Sequence, residues 1–259
     1  MRNLLLLAAL FALPGFAAVP VAIPPGPLGD AVRLGKNLIV DTRHFARDYV
    51  GNGLNCSSCH SDAGTRPGAL PLTGLTGQFP FYSPRIGKVI TLEDRINGCF
   101  ERSMNGRALP PESREMTAIV AYIAWLSIGA PVGVDPPGRG SPRLDFKNLK
   151  PDPANGKLVY DAKCAACHGP QGAGIYDAEG NPAFPALWGD KSFNIGAGMA
   201  RLSNAVPYVK ANMPQNEPGA LSVQEALDVS AYFTTQPRLD FAAKRRDWPN
   251  GGKPADARY

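Results

Sequence analysis

Cys56-Ser57-Ser58-Cys59-His60 and Cys164-Ala165-Ala166-Cys167-His168 are two copies of one pattern, C-x-x-C-H, in the two halves of a 259-residue chain. This pattern is the attachment signal of a c-type haem. Two thiols add across the porphyrin vinyl groups, and the adjacent histidine is carried under the iron. Competing readings of these cysteines fit less well. Structural zinc sets place a long spacer between the Cys pair and the His pair, whereas here the histidine is adjacent. A thioredoxin-like dithiol wants a strand–helix–strand context, and the sequence shows none. A plain disulfide leaves two histidines at the same offset unexplained. Two covalent haems c are therefore expected, with thioether bonds at Cys56, Cys59, Cys164 and Cys167. His60 and His168 are the expected proximal ligands.

Outward from the motifs, each half reads as a similar unit. Gly35-Lys36 with Leu38-Ile39 precedes the first motif, and Gly156-Lys157 with Leu158-Val159-Tyr160 precedes the second. Both stretches predict a helix running toward the haem-binding turn, with an insertion in the first unit around His44 to Leu54. Each unit also ends in a helix. Met116, Ile119, Val120 and Ile123 follow the i, i+3, i+4, i+7 period, and Pro111 is expected near that helix's first turn. Ser222 and Glu225 form a capping-box pattern ahead of Leu227, Ala231 and Tyr232. Few period-2 apolar runs occur. The expected fold is all-α: two tandem class I cytochrome c domains at 19–128 and 149–259, joined by a Gly/Pro-rich linker at 129–148. The tail from Pro237 to Tyr259 has no period; its charges read as a solvated surface, with Phe241 and Trp248 as the anchors to the body.

Residues 1–18 read as an export signal: Arg2, the apolar run Leu4 to Leu13, and a small-residue cleavage site at Gly15-Phe16-Ala17 or Ala18. The run is too short for the ~20 residues of a spanning helix, so the expectation is a periplasmic protein without membrane insertion. The composition, 44% hydrophobic and 19% charged with a net charge of +5, describes an ordinary globular protein. No basic helix accompanies that charge, which excludes a nucleic-acid reading and suits a small anion or an acidic protein partner.

The sixth iron ligands separate the function classes. In the second unit Met213, in Asn212-Met213-Pro214, suits the Met/His ligation of electron-transfer cytochromes; Met199 reads as packing and Lys210 as a solvated lysine. In the first unit three groups compete: Met104, His44 and the unpaired Cys99. Thr91 with Asp94 predicts a helix start, and Arg95, Cys99 and Ser103 then share one helix face. A guanidinium, a thiol and a hydroxyl on one stripe suit an anion beside a reactive sulfur. Helix position and Arg95 favour a lowered thiol pKa, which places Cys99 ahead of the other two.

The stretch Arg95-Ile96-Asn97-Gly98-Cys99-Phe100-Glu101-Arg102-Ser103-Met104-Asn105-Gly106, with the two haem motifs and the signal, resembles the dihaem thiosulfate dehydrogenases. That resemblance implies that two thiosulfates are joined to tetrathionate, with two electrons leaving to a soluble cytochrome or other redox protein. It implies that Cys99 ligates the first haem and transiently bonds substrate sulfur, that Arg85, Arg95 and Ser103 line the pocket, and that some members run the reverse reaction. Certain relatives carry a lysine directly before the Met213 position, which here is Asn212. The residues agree with this chemistry. Pairing two dianions needs cations, and arginine offers a permanently charged planar fork; Arg85 and Lys88 lie in an acid-free stretch, with a haem propionate or a solvated loop as their other reading. A thiolate ligand lowers and a methionine ligand raises the haem potential, so electrons would run from first haem to second. Two alternatives stand beside the enzyme: a non-enzymatic dihaem electron carrier with Met104 on the first iron, and a sulfur-carrier cytochrome that needs a partner subunit.

Overall fold

The computed structural model describes residues 22–178 and 180–259. The expected export signal lies outside the described residues. Among the described residues no helix is long and apolar enough to cross a membrane.

The first unit comprises α1 (Gly26–Val40), the short α2 (Thr42–Phe45), the turn α3 (Ser61–Gly64), a hairpin of β1 (Phe81–Ser83) and β2 (Lys88–Ile90), α4 (Leu92–Arg102) and α5 (Arg114–Trp125). The second comprises α6 (Pro153–Lys163), α7 (Ala165–His168), a hairpin of β3 (Ile175–Tyr176) and β4 (Pro182–Phe184), α8 (Leu202–Asn212) and α9 (Val223–Thr235). In each unit the opening helix packs across the closing one, α1 on α5 and α6 on α9. Both crossings are made at the Gly-Lys pairs. A Cβ on Gly35 would lie 2.0 Å from the Ala118 carbonyl oxygen, and one on Gly156 would lie 2.0 Å from that of Asp228. Only a residue with no side chain lets these backbones approach so closely.

The helix ends follow local chemistry. Thr91 and Asp94 form a reciprocal capping box on α4, and Ser222 and Glu225 form one on α9. At α5 the expectation is corrected. Pro111 lies ahead of the helix, and the Ser113 side chain accepts the Met116 N–H and sets the start. A hydroxyl that satisfies a free N–H outweighs a proline that merely presets φ. The two hairpins, each antiparallel, were not visible in the sequence. Strands of two or three residues are too short to display a period.

Each unit has its own core. Leu38, Phe100, Met116, Ile119 and Tyr122 centre the first; Tyr160, Val206, Leu221, Leu227 and Phe233 centre the second. Leu54 comes from the first half yet packs in the second core. The stretch 129–147 forms no helix or strand but lies on the first unit, where Gly138 and Gly140 carbonyls accept the Gly68 and Leu70 N–H groups.

The tail departs from the expectation of a solvated surface. Phe241 and Trp248 are buried as expected, but so is the Asp247 side chain, 2% exposed and paired with Arg85 and Arg102 of the first unit. Arg238 is drawn inward too, donating to the Phe193, Leu187 and Phe233 carbonyls.

Candidate haem and sulfur site

Both motif histidines are oriented by backbone carbonyls. The Nδ1 of His60 meets the Leu70 carbonyl, and that of His168 lies 2.8 Å from the Pro185 carbonyl. A carbonyl only accepts, so Nδ1 carries the proton and Nε2 keeps its lone pair. This is the tautomer a metal-bound histidine needs, held by the partner such histidines usually have. Burial also pushes His168 toward its neutral, ligating form. Leu70 presents its carbonyl from a left-handed φ of 51°, and Asp62 and Ala63, two and three residues after His60, sit at 54° and 55°. Non-glycine residues held there cost of order 1–3 kcal/mol each, and such strain gathers at functional sites.

In the second unit these residues border a cavity of about 800 Å³, lined by Cys164, Cys167, His168, Met199 and Met213 among largely apolar neighbours. Two thiols, a neutral imidazole and methionine sulfur around an apolar slot of that size are the donor set of haem c. Met213 closes α8 as its C-cap residue, and Met199 lies in a 3-10 turn. Lys210 turns elsewhere and donates to the Gly219 carbonyl at 2.7 Å. Asn212 is buried and donates to the Gly68 and Tyr208 carbonyls, both at 3.0 Å, which anchors the backbone next to Met213. Cys59, Ser57 and Ser58 of the first motif border the same cavity, so the two haem-binding segments adjoin.

In the first unit, Thr42 ties α2 to the motif: its hydroxyl accepts the Cys56 N–H at 2.9 Å and donates to Cys56 Sγ at 3.3 Å. On α4, Arg95 Nη1 donates to Cys99 Sγ at 2.9 Å. Four of the thiols divide sharply. Burial pushes Cys56 and Cys59 up to about 12 and Cys164 to about 11. Burial pushes Cys99 up as well, but the Arg95 cation, with a smaller contribution from the neighbouring His60, outweighs it and brings the thiol down to about 7. Cys99 therefore faces His60, with Cys56 and Cys59 close enough to act on each other's charge. A sulfur of lowered pKa beside the imidazole and the two cysteines of the motif also fits haem c.

The other first-unit candidates lie differently. His44 is exposed on α2, edge-on to Phe45. Met104 is buried in the core. Ser103 is the C-cap residue of α4. Lys88 is exposed, 4.0 Å from Asp94. Arg85 is half-buried and engaged: Nε donates to Asp247 at 2.7 Å, and Nη2 donates to the Gly196 carbonyl and the Tyr259 hydroxyl at 2.7 and 2.6 Å.

Sequence reasoning missed how α4 is finished. The last carbonyls of a helix have no partner within it. Here the second unit supplies part of the need: Asn194 donates to the Glu101 carbonyl from Nδ2 at 2.9 Å and to that of Arg102 from its backbone N–H at 3.1 Å. Asn52, within the inserted segment, donates to the Ser103 and Ser192 carbonyls at 2.8 and 3.0 Å, bridging the units. An isolated asparagine carries no sequence signal for such a role; the insertion that bears Asn52 was the visible clue.

Comparison with known proteins adds to this geometry. Residues 43–132 match the family model for the SoxA/TsdA cytochrome c domain, and residues 153–236 match the cytochrome c model. The chain is 46% identical over 236 residues to a thiosulfate dehydrogenase of Psychrobacter arcticus, covering 91% of this chain and 72% of that protein. It is 45% identical over 226 residues to a thiosulfate dehydrogenase of Allochromatium vinosum, covering 85% and 83% respectively. It superposes on the as-isolated thiosulfate dehydrogenase TsdBA of Marichromatium purpuratum with a TM-score of 0.81 and 37% identity, over 91% of this chain. It spans about half, 53%, of that solved chain. Two cytochrome c domains, as in that structure, carry two covalently bound haems c.

Proposed function

Because this chain belongs to the thiosulfate dehydrogenase family, we propose that it joins two thiosulfates to tetrathionate in the periplasm and delivers the electrons to a soluble cytochrome or similar redox protein. The terminal sulfurs of two dianions form one S–S bond, no proton moves, and two electrons leave, so four negative charges become two. When bound through the residues described above, haem c supplies one-electron acceptance at each iron. Cys99 and His60 would hold the first iron, and Met213 and His168 the second.

The observation that carries this reading is the Arg95–Cys99 pair, a guanidinium 2.9 Å from a half-buried sulfur whose acidity it raises. Two dianions about 4 Å apart repel by roughly 4 kcal/mol even in water, and by more where water is thin. A fixed cation at the sulfur offsets part of that cost while the bond forms. Ser103, one helical turn beyond Cys99, adds a hydroxyl for a sulfonate oxygen. Arg85 is assigned to the same pocket, its guanidinium held by Asp247 and Tyr259. The same arrangement serves tetrathionate reduction when electrons arrive from the second unit.

The test is thiosulfate-dependent reduction of an artificial acceptor by the purified dihaem protein, with tetrathionate quantified and Cys99→Ala run alongside. Tetrathionate from the native protein and none from the variant is the expected result. A native protein with both haems loaded and no turnover would overturn thiosulfate oxidation and leave a dihaem electron carrier as the better reading.

A further inference from the structure

The tail of the second unit reaches back to α4 of the first. Asp247 is the centre of that contact, its side chain only 2% exposed. Arg102, in the last turn of α4, approaches it with a two-toothed grip, Nη1 to Oδ2 and Nη2 to Oδ1, each at 2.8 Å. Arg85 donates to the same Oδ2 from Nε at 2.7 Å, and the Tyr259 hydroxyl donates to it as well. Aromatic faces of the tail back both cations: Arg102 lies 4.1 Å over the Phe241 ring and Arg85 4.9 Å over the Trp248 ring. The Trp248 N–H also donates to the Arg85 carbonyl at 2.8 Å, so the tail holds this residue by backbone and side chain together.

The two arginines bracket the helix that bears Cys99. Arg85 sits in the hairpin turn whose second strand, β2, leads directly into α4, and Arg102 sits at the helix's far end. One carboxylate thus spans two guanidiniums that would otherwise repel each other. Its grip on Arg102 has the bidentate geometry that adds direction as well as energy.

We infer that Asp247 is a positioning residue for the sulfur site: from the second unit it fixes both ends of the segment that presents Arg85, Arg95, Cys99 and Ser103. This rests on the proposed function for its kinetic consequence but not for its structural one. Asp247 touches no reacting sulfur in this reading. It decides where the cations stand, so its loss should weaken thiosulfate binding more than turnover.

The variant is Asp247→Asn in the full dihaem protein, compared with Asn250→Ala, which removes only the tail's 3.2 Å hydrogen bond to the Tyr82 hydroxyl. Two readouts are taken. By hydrogen exchange, Asp247→Asn should deprotect the hairpin 81–90 and the tail 238–259, while α1 and α5 keep native protection. By steady-state kinetics, KM for thiosulfate should rise about tenfold with kcat changed less than about threefold, and Asn250→Ala should change neither. Unchanged exchange at the hairpin overturns the inference whatever the substrate. So does an unchanged KM in an active protein, or an equal rise in both variants, which would reflect general loosening of the tail. A native protein inactive on thiosulfate counts against the proposed function alone, and the exchange result then decides the inference by itself.

Discussion

Replacing Gly35 or Gly156 with alanine tests the geometry on which both units are built. At Gly35 the new Cβ would stand 2.0 Å from the Ala118 carbonyl oxygen and 2.6 Å from Tyr122 Cβ; at Gly156 it would stand 2.0 Å from the Asp228 oxygen and 3.0 Å from Tyr232 Cβ. Ordinary contact begins near 3.4 Å, so each helix pair must part by more than an ångström. The first clash in each case is with backbone, which cannot rotate aside as a side chain can. Overpacking of a close-packed interior costs typically 1–3 kcal/mol, and a helix-to-backbone clash belongs at or above the top of that range. Alanine returns about 1 kcal/mol through its better helix propensity. The net loss is about 2 kcal/mol, which in a protein of this size lowers Tm by roughly 4–8 °C. Thermal unfolding of the haem-loaded protein followed by far-ultraviolet circular dichroism measures it. Lys36→Ala, exposed and next in sequence, is the control, expected to change stability by no more than about 0.5 kcal/mol. If both glycine variants melt within about 2 °C of the parent, the close approach does not govern these crossings and the reasoning fails.

Three further outcomes are expected. Arg95→Gln removes the guanidinium from Cys99 Sγ and should lower kcat/KM for thiosulfate about tenfold, the low end for a charge-assisted hydrogen bond because Arg95 is open to water; steady-state kinetics measure it. Met213→Leu should lower the potential of the second haem in a redox titration, whereas Lys210→Ala, whose ammonium is occupied by Gly219, should leave it in place. Glu225 is held down to about 2 by its hydrogen bonds with Lys163 and Ser222, below the ordinary carboxylate range near 4.3. Its contribution to stability is therefore whole above that range and disappears as pH falls toward about 2. Melting curves from pH 5 down to 2.5 should show Glu225→Gln losing less stability than the parent on acidification.

The parts of this protein that were legible in its sequence are those written locally. Covalent haem attachment needs two thiols and an imidazole at fixed spacing, so C-x-x-C-H is contiguous. Amphipathic helices declare a period, as Met116 to Ile123 do, and caps such as Thr91–Asp94 span only four residues. The Arg95–Cys99 contact was legible because a helix turns i and i+4 to the same side. What escaped was non-local. Nothing beside Asp247 in the chain marks it as a buried carboxylate, because its partners Arg85 and Arg102 belong to the other unit. A charged tail reads as solvated until its counter-ions are placed. The carbonyls of Leu70 and Pro185, which orient the two histidines, carry no side-chain signature at all. Asn194, which completes α4, has the composition of any loop residue.

The completion of α4 by Asn194 has a consequence for how this protein can be divided. The backbone of the Cys99 helix is finished by atoms from beyond the linker, and Leu54 leaves its own half to fill the neighbouring core. Severing the chain at 129–148 would therefore leave the first fragment with exposed carbonyls and an apolar side chain in water. Duplicated modules that share nothing unravel one after the other on heating. These two have traded parts, so a shared fate is expected: calorimetry of the haem-loaded protein should show one transition, and either piece expressed alone should fold poorly.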